Sequence, residues 1–173
     1  MSHSSNTPTH RLPKFVTIGV FGFDEAGFFA ALRDAGVDTF CDIRARRGVR
    51  GREYAFVNSR RLQARLAELN IRYLHCKALA PSQGLRAQQA VADQAERTAK
   101  RKRTELSEGF IAGYRDECLQ QFDGRKFIEQ LGDPARVVAL FCVERVPAAC
   151  HRSLVGERLQ RDLGLELVHL MPP

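Results

Sequence analysis

Val137-Val138-Ala139-Leu140-Phe141-Cys142-Val143 is the stretch whose reading decides the fold, and it runs straight on into Glu144-Arg145-Val146-Pro147-Ala148-Ala149-Cys150-His151-Arg152. An unbroken apolar run, weighted to β-branched and aromatic types, reads as a strand buried on both faces, the pattern of a parallel sheet covered by helices. The residues just after such a strand lie at its carboxyl end, and in open α/β sheets that edge is where ligands bind. Two thiols, a carboxylate, an imidazole and two guanidinium groups are concentrated between Cys142 and Arg152. One short stretch therefore predicts both an architecture and the position of a site within it.

The same kind of signal recurs toward the N-terminus. Phe15 to Phe21 reads as a strand, after which Asp24 can cap a helix that turns Phe28 and Leu32 inward and ends at Gly36. Val37 to Ile43 reads as the next strand, followed by an arginine block. Asn58 then starts a helix with Val57 and Leu62 as a hydrophobic staple and Leu62, Leu66 and Leu69 on one face. Ile71 to Cys76 gives a third strand. Beyond the Ala80-Pro81-Ser82 break, Leu85 to Arg103 is polar and predicted helical, lying across the surface or forming a lid. Ser107 can cap a further helical region that continues through Phe127, Ile128 and Leu131 to Gly132-Asp133-Pro134. After the fourth strand come an amphipathic helix from His151 to Leu163 and a short strand from Glu166 to Leu170. This alternation predicts an α/β fold: a single domain, residues 15–173, with a mostly parallel sheet of about five strands and helices on both faces, a Rossmann-like three-layer arrangement. Residues 1–14, rich in Ser, Thr, His and Pro, read as a flexible tail without the apolar segment of a signal peptide.

At 173 residues the chain suffices for one core, and 44% hydrophobic with 27% charged residues is ordinary for a globular protein. No apolar run approaches the roughly 20 residues that span a bilayer, so no membrane association is expected and the expected location is cytoplasmic. The five cysteines are scattered, which argues for reduced thiols over a disulfide framework. Without a Cys-x-x-Cys spacing, no metal site is assigned. A P-loop is missing and Gly19-Val20-Phe21-Gly22 is too short for a dinucleotide fingerprint, so no cofactor is assigned either.

The net charge of +7 is unevenly placed. Arg44, Arg46, Arg47, Arg50, Arg52, Arg60 and Arg61 stand against Glu53 alone, a local excess of +6. Arginine in preference to lysine suits planar, bidentate contact with phosphate or carboxylate. The Lys100-Arg101-Lys102-Arg103 run reads instead as a solvated face. Parallel strands send their following loops to one edge, so the loops that begin at Phe21, Arg44, His75 and Glu144 should face one another. On that edge Asp42, Glu144, Cys150 and His151 are candidate catalytic groups, and Arg44 and Arg152 candidate anion-binding groups. A structural alternative pairs Asp42 with Arg152 or Glu144 with Arg44, and leaves the cysteines as small core residues. His75 suits a core imidazole as well as a ligand, and Tyr73 and Tyr114 suit packing residues with a hydrogen-bonded hydroxyl.

Several strings taken together resemble the DUF488 family, small α/β proteins named only as a domain of unknown function. They are Thr17-Ile18-Gly19, Asp42-Ile43-Arg44, Phe56, Ile71-Arg72-Tyr73-Leu74-His75, Phe110, Tyr114, Cys142-Val143-Glu144 and Cys150-His151-Arg152, in an order that covers about Val16 to Leu170. The chain departs from the family pattern at Ala45-Arg46-Arg47-Gly48, where a proline is usual, and at Leu79-Ala80-Pro81, where Leu-Gly-Gly is frequent. The resemblance implies a fold and a site more than an activity. Three readings of function stand side by side: an enzyme, a hydrolase or transferase acting on a phosphorylated, nucleotide or nucleic-acid substrate; a nucleic-acid-binding module in which Arg46, Arg47, Arg50 and Arg52 track a backbone while Tyr54 and Phe56 stack on bases; and a redox or metal-responsive protein centred on Cys142, Cys150 and His151.

Overall fold

The computed structural model describes residues 11–173. Most of the expected tail, residues 1–10, lies outside the described residues, and Lys14, its last member, already belongs to the first strand. Five strands form one sheet: β1 (Lys14–Gly19), β2 (Thr39–Asp42), β3 (Arg72–His75), β4 (Val137–Cys142) and β5 (Leu167–Leu170). Their order is β3-β2-β4-β1-β5, and every pairing is parallel. The helices are α1 (Glu25–Asp34), α2 (Ser59–Glu68), α3 (Gln83–Ala95), α4 (Glu108–Tyr114), α5 (Gly124–Leu131) and α6 (His151–Leu163). The chain is an α/β fold with helices around a parallel sheet. Among the described residues no helix is long and apolar enough to cross a membrane.

Local chemistry sets most of these boundaries. Asp24 accepts from the Gly27 amide and Ser107 from the Phe110 amide, each satisfying a donor that the helix start leaves open. Ser82 does the same for α3 through Leu85. Beneath α1, Phe28 meets Phe29 at 90° and Phe141 at 73°, the edge-to-face geometry that the aromatic quadrupole favours. Phe28 is completely buried, worth about 2 kcal/mol of stabilisation at the usual transfer value.

Three expected elements differ from the structure. β2 begins at Thr39 and not at Val37, because the Asp38 carboxylate turns back to accept from the amides of Arg136 and Val137. The helix expected to reach Arg103 stops at Ala95, where Arg97 takes a left-handed conformation and the Thr98 amide donates to the Asp93 carbonyl. Beyond this break Lys100–Lys102 form only a short 3-10 turn. The region after Ser107 is likewise divided: α4 passes into a π-helical turn at Arg115–Leu119, and Asp123 caps a separate α5 by accepting from Arg125 and Lys126.

At the carboxyl ends of β1 and β4 the backbones close tightly. The amides of Val20 and Phe21 both donate to the Val143 carbonyl. Arg152, fully buried at the start of α6, donates from Nη1 to the Glu144 carbonyl at 2.6 Å and from Nη2 to the Arg145 carbonyl at 3.0 Å. Gly19 makes this approach feasible, since a Cβ there would lie 1.8 Å from the Glu144 carbonyl oxygen and 2.9 Å from Arg152 Nη1. Gly19→Ala is therefore expected to destabilise the protein by about 3 kcal/mol, read as a lower midpoint in urea unfolding.

Candidate functional site

β2 and β4 are neighbours whose onward connections run in opposite directions, β2 toward β3 and β4 toward β5. Between the carboxyl ends of such strands a crevice opens. Here it is a cavity of about 480 Å³, walled by the loops after β2 and β4, by α3 with the segment that follows it, and by Leu106 and Phe110.

On the β2 side, Asp42 and Arg44 form a buried bidentate pair. Arg44 Nε donates to Asp42 Oδ1 at 2.9 Å and Nη2 to Oδ2 at 2.7 Å, while the Tyr73 hydroxyl donates to Oδ2 at 2.8 Å. The guanidinium also donates to the Val57 carbonyl and lies 4.6 Å over the Phe141 ring. Arg44 Nη1 has no hydrogen-bond partner although it is buried. Arg86, on α3, presents a second buried nitrogen without a partner, Nε, and both arginines line the cavity. A buried donor left unmade costs about 1–3 kcal/mol, more when charged, so the two nitrogens mark places where an acceptor would be stabilised.

On the β4 side, Cys142, Glu144, Cys150 and His151 converge. Cys142 Sγ donates to Glu144 Oε2 at 3.3 Å. His151 Nδ1 lies 3.8 Å from Cys142 Sγ and 3.9 Å from Cys150 Sγ, while Nε2 donates to the Ile43 carbonyl at 3.0 Å. That bond to a carbonyl fixes Nε2 as the protonated nitrogen and leaves Nδ1 facing both sulfurs. Glu144 Oε1 accepts from Arg103 Nη2 at 3.1 Å and faces Lys100 Nζ at 3.5 Å. All four side chains are buried yet line the cavity.

Their electrostatics follow from this crowding. Burial opposes the Cys150 thiolate most strongly, but the neighbouring Cys142 thiol, the Arg152 guanidinium and the His151 ring outweigh it and hold Cys150 well below the ordinary thiol range. The nearby Cys150 sulfur, with burial, pushes Cys142 well above it. Burial raises Glu144, and the charge at Cys150 raises it further against the pull of Lys100 and Arg103. His151 is lowered by burial, yet Cys150, the Ile43 carbonyl and Glu144 reverse that and leave it raised. Negative charge on Cys150 and negative charge on Glu144 thus oppose one another.

The geometry brings Arg44, Glu144, Cys150 and His151 to one cavity, with Asp42 fully buried against Arg44 and outside the lining, and with the ion pairs Asp42–Arg44 and Glu144–Arg103 in place of those expected from sequence. Arg152 does not line the cavity: two of its guanidinium nitrogens donate to backbone carbonyls and Nε to Thr17, a bracing position and not an anion-facing one. Of the exposed block, Arg46 and Arg50 line the cavity whereas Arg47 and Arg52 do not. Tyr54 and Phe56 are buried at 5% and 3% exposure, so neither presents a face to a nucleic acid base. Tyr73, Tyr114 and His75 each make a hydrogen bond, His75 Nε2 to the Arg44 carbonyl and Tyr114 to the Leu79 carbonyl. Sequence reasoning missed Arg86 and Arg103. Arg103 sits in the run read as a solvated face, yet its side chain is 8% exposed and bridges Asp93 and Glu144.

A family model described as Domain of unknown function DUF488 matches residues 26–159. No curated protein and no solved structure matches the chain.

Asp42→Asn leaves Arg44 buried without its counter-charge and is expected to cost about 3–5 kcal/mol in urea unfolding. Tyr73→Phe should cost only about 1 kcal/mol, the worth of one hydrogen bond. Burial, and then the charge of Asp42, push the Tyr73 phenol up to about 12 from 10.0. The folded state therefore holds this proton more tightly than the unfolded chain. Its contribution is complete below pH 10 and is lost as pH rises toward 12, so Tyr73→Phe should flatten stability over that window.

Proposed function

The chain belongs to the family described as Domain of unknown function DUF488, a description that names no activity, and we propose from its site that it is an enzyme, a hydrolase or transferase acting on a small phosphorylated or nucleotide substrate. One observation carries the proposal: Arg44 and Arg86, each with a buried nitrogen that has no partner, line one cavity with Cys142, Glu144, Cys150 and His151. A phosphate oxygen accepts well from both guanidinium groups, and Arg46, Arg50 and Lys100 add positive charge at the mouth. Asp42 orients Arg44, and Arg103 orients Glu144. Glu144 stands beside the sulfur and imidazole cluster, positioned to take a proton and return it to a leaving group. Apolar wall from Phe21, Val49, Leu106 and Phe110 lowers the local dielectric, which strengthens each of these interactions.

A second reading, the nucleic-acid-binding module, draws on the exposed side chains of Arg46, Arg47, Arg50 and Arg52. It loses its stacking residues, because Tyr54 and Phe56 belong to the core. The charge that remains is sequence-independent backbone attraction at best.

Calorimetric titration with inorganic pyrophosphate and with nucleoside mono- and diphosphates tests the enzyme reading. Arg86→Gln should weaken binding at least tenfold without a change in melting temperature, since Arg86 Nε makes no internal bond. Glu144→Gln should abolish turnover in a screen of phosphate esters while retaining the bound ligand. Equal binding by wild type and Arg86→Gln would overturn the cavity assignment. If duplex DNA binds instead, with a salt slope that falls by about 0.9 for each arginine removed from the exposed block, the second reading replaces the first.

A further inference from the structure

We propose that Cys142, Cys150 and His151 hold one borderline-soft divalent cation, of which Zn²⁺ is the natural representative, with a coordination position left open to the cavity. This deepens the enzyme reading and rests on it for the role of the open position, although binding of the ion is independent of it.

The donor set is two sulfurs and one imidazole nitrogen, and these three atoms lie within 4.8 Å of one another. Thiolate and imidazole together select Zn²⁺ and its neighbours over Mg²⁺ or Ca²⁺, which demand oxygen. A tetrahedral ion with bonds of about 2.3 Å to sulfur and 2.05 Å to nitrogen separates its S and N ligands by about 3.6 Å. His151 Nδ1 lies 3.8 Å from Cys142 Sγ and 3.9 Å from Cys150 Sγ, so the ring needs only a slight adjustment to coordinate.

The surroundings have the form that ligation needs. His151 donates Nε2–H to the Ile43 carbonyl, which leaves the lone pair of Nδ1 directed at the sulfurs and is the outer bond that orients a metal-binding imidazole. Cys150 occupies the N-cap position of α6 but makes no side-chain capping bond, so its sulfur is not committed to the helix. The ligands come from the end of β4 and the start of α6, elements that Arg152 ties together through the Glu144 and Arg145 carbonyls. Rigid placement of this kind favours binding because little order remains to be imposed.

Three protein ligands on a cavity wall describe an open site, whereas structural zinc sites are closed by four. Glu144 supplies the neighbouring carboxylate. Its Oε1 is taken by Arg103 and Lys100, and its Oε2 lies 3.3 Å from Cys142 Sγ. Both sulfurs ligate as thiolates, so binding releases the Cys142 proton to solvent, and no electron is transferred.

The test uses the full chain, stripped with a chelator under reducing conditions and titrated with Co²⁺ and Zn²⁺. One equivalent of Co²⁺ should give a thiolate-to-cobalt charge-transfer band and intense visible bands of tetrahedral cobalt, displaced by one equivalent of Zn²⁺. Cys142→Ser, Cys150→Ser and His151→Asn should each lose or strongly shift the spectrum, and Cys118→Ser should leave it unchanged. A wild-type readout covers variants that fail to fold: Zn²⁺ should block maleimide labelling at Cys142 and Cys150, mapped by mass spectrometry, with labelling restored by chelator. Folded wild-type protein that yields no cobalt spectrum and no protection overturns the metal site. A spectrum that survives in His151→Asn overturns the ligand set. Pyrophosphate titration of the stripped protein separates the two proposals, since anion binding without a cobalt spectrum sinks the metal alone, and a cobalt spectrum without anion binding sinks the substrate class alone.

Discussion

Arg152 is a buried cation that, among the described residues, has no carboxylate within ion-pair distance, and its place in the interior is defined by carbonyl oxygens. A guanidinium in such surroundings is stable only if the backbone supplies acceptors in the right plane, which fixes the course of the chain through Glu144 and Arg145. Those two residues stand between the sheet and the site. Once their carbonyls are held, Glu144 must turn its side chain to the cavity, and the start of α6 must lie beside the end of β4. The contact of β1 with this segment then requires Gly19, whose missing side chain is the space the carbonyl occupies. Sheet, helix and cavity wall thus meet at one charged group.

A buried ion pair meets the same demand on the opposite wall with a different solution. Arg44 is matched by Asp42, so its charge is neutralised locally and one nitrogen remains uncommitted. Arg103 divides itself between Asp93 and Glu144 and so joins the segment after α3 to the loop after β4. Three arginines in similar surroundings therefore do three things: Arg152 shapes backbone, Arg44 faces the cavity, and Arg103 closes one connection over another. Buried ion pairs add little net stability, because desolvation offsets most of the attraction; their effect is on which geometry is allowed.

The strands and caps were legible because their determinants are local. Val137 to Cys142 carries its own pattern, Asp24 and Ser107 sit one residue before the helices they cap, and α6 spans His151–Leu163 as the periodicity of Val155, Leu159 and Leu163 predicts. The strand-end edge was legible too, since parallel order sends Asp42, Arg44, Glu144 and Cys150 to one side of the sheet. Partnership was not. Nothing in the sequence distinguishes Asp42–Arg44 from Asp42–Arg152, because the choice is made by three-dimensional distance and desolvation. Arg103 was hidden inside a run of like charges whose other members are exposed. Tyr54 and Phe56 looked available because they sit among arginines, yet a chain segment can alternate exposed cations with rings turned inward against Phe21 and Phe28. The convergence of Cys142 with Cys150 and His151 has no spacing signature, as it is produced by a strand end returning through a short turn onto a helix start.

Arg103 belongs to a connecting segment outside any long helix or strand, and it is also a counter-ion of Glu144. The order of that segment and the protonation of that carboxylate are consequently one equilibrium seen from two ends. Any occupant of the cavity that attracts Arg103 changes the proton affinity of Glu144, and by thermodynamic reciprocity the protonation of Glu144 changes the affinity for that occupant by the same factor. Charge recognition and proton transfer, usually assigned to separate groups, here share a single side chain as their common term.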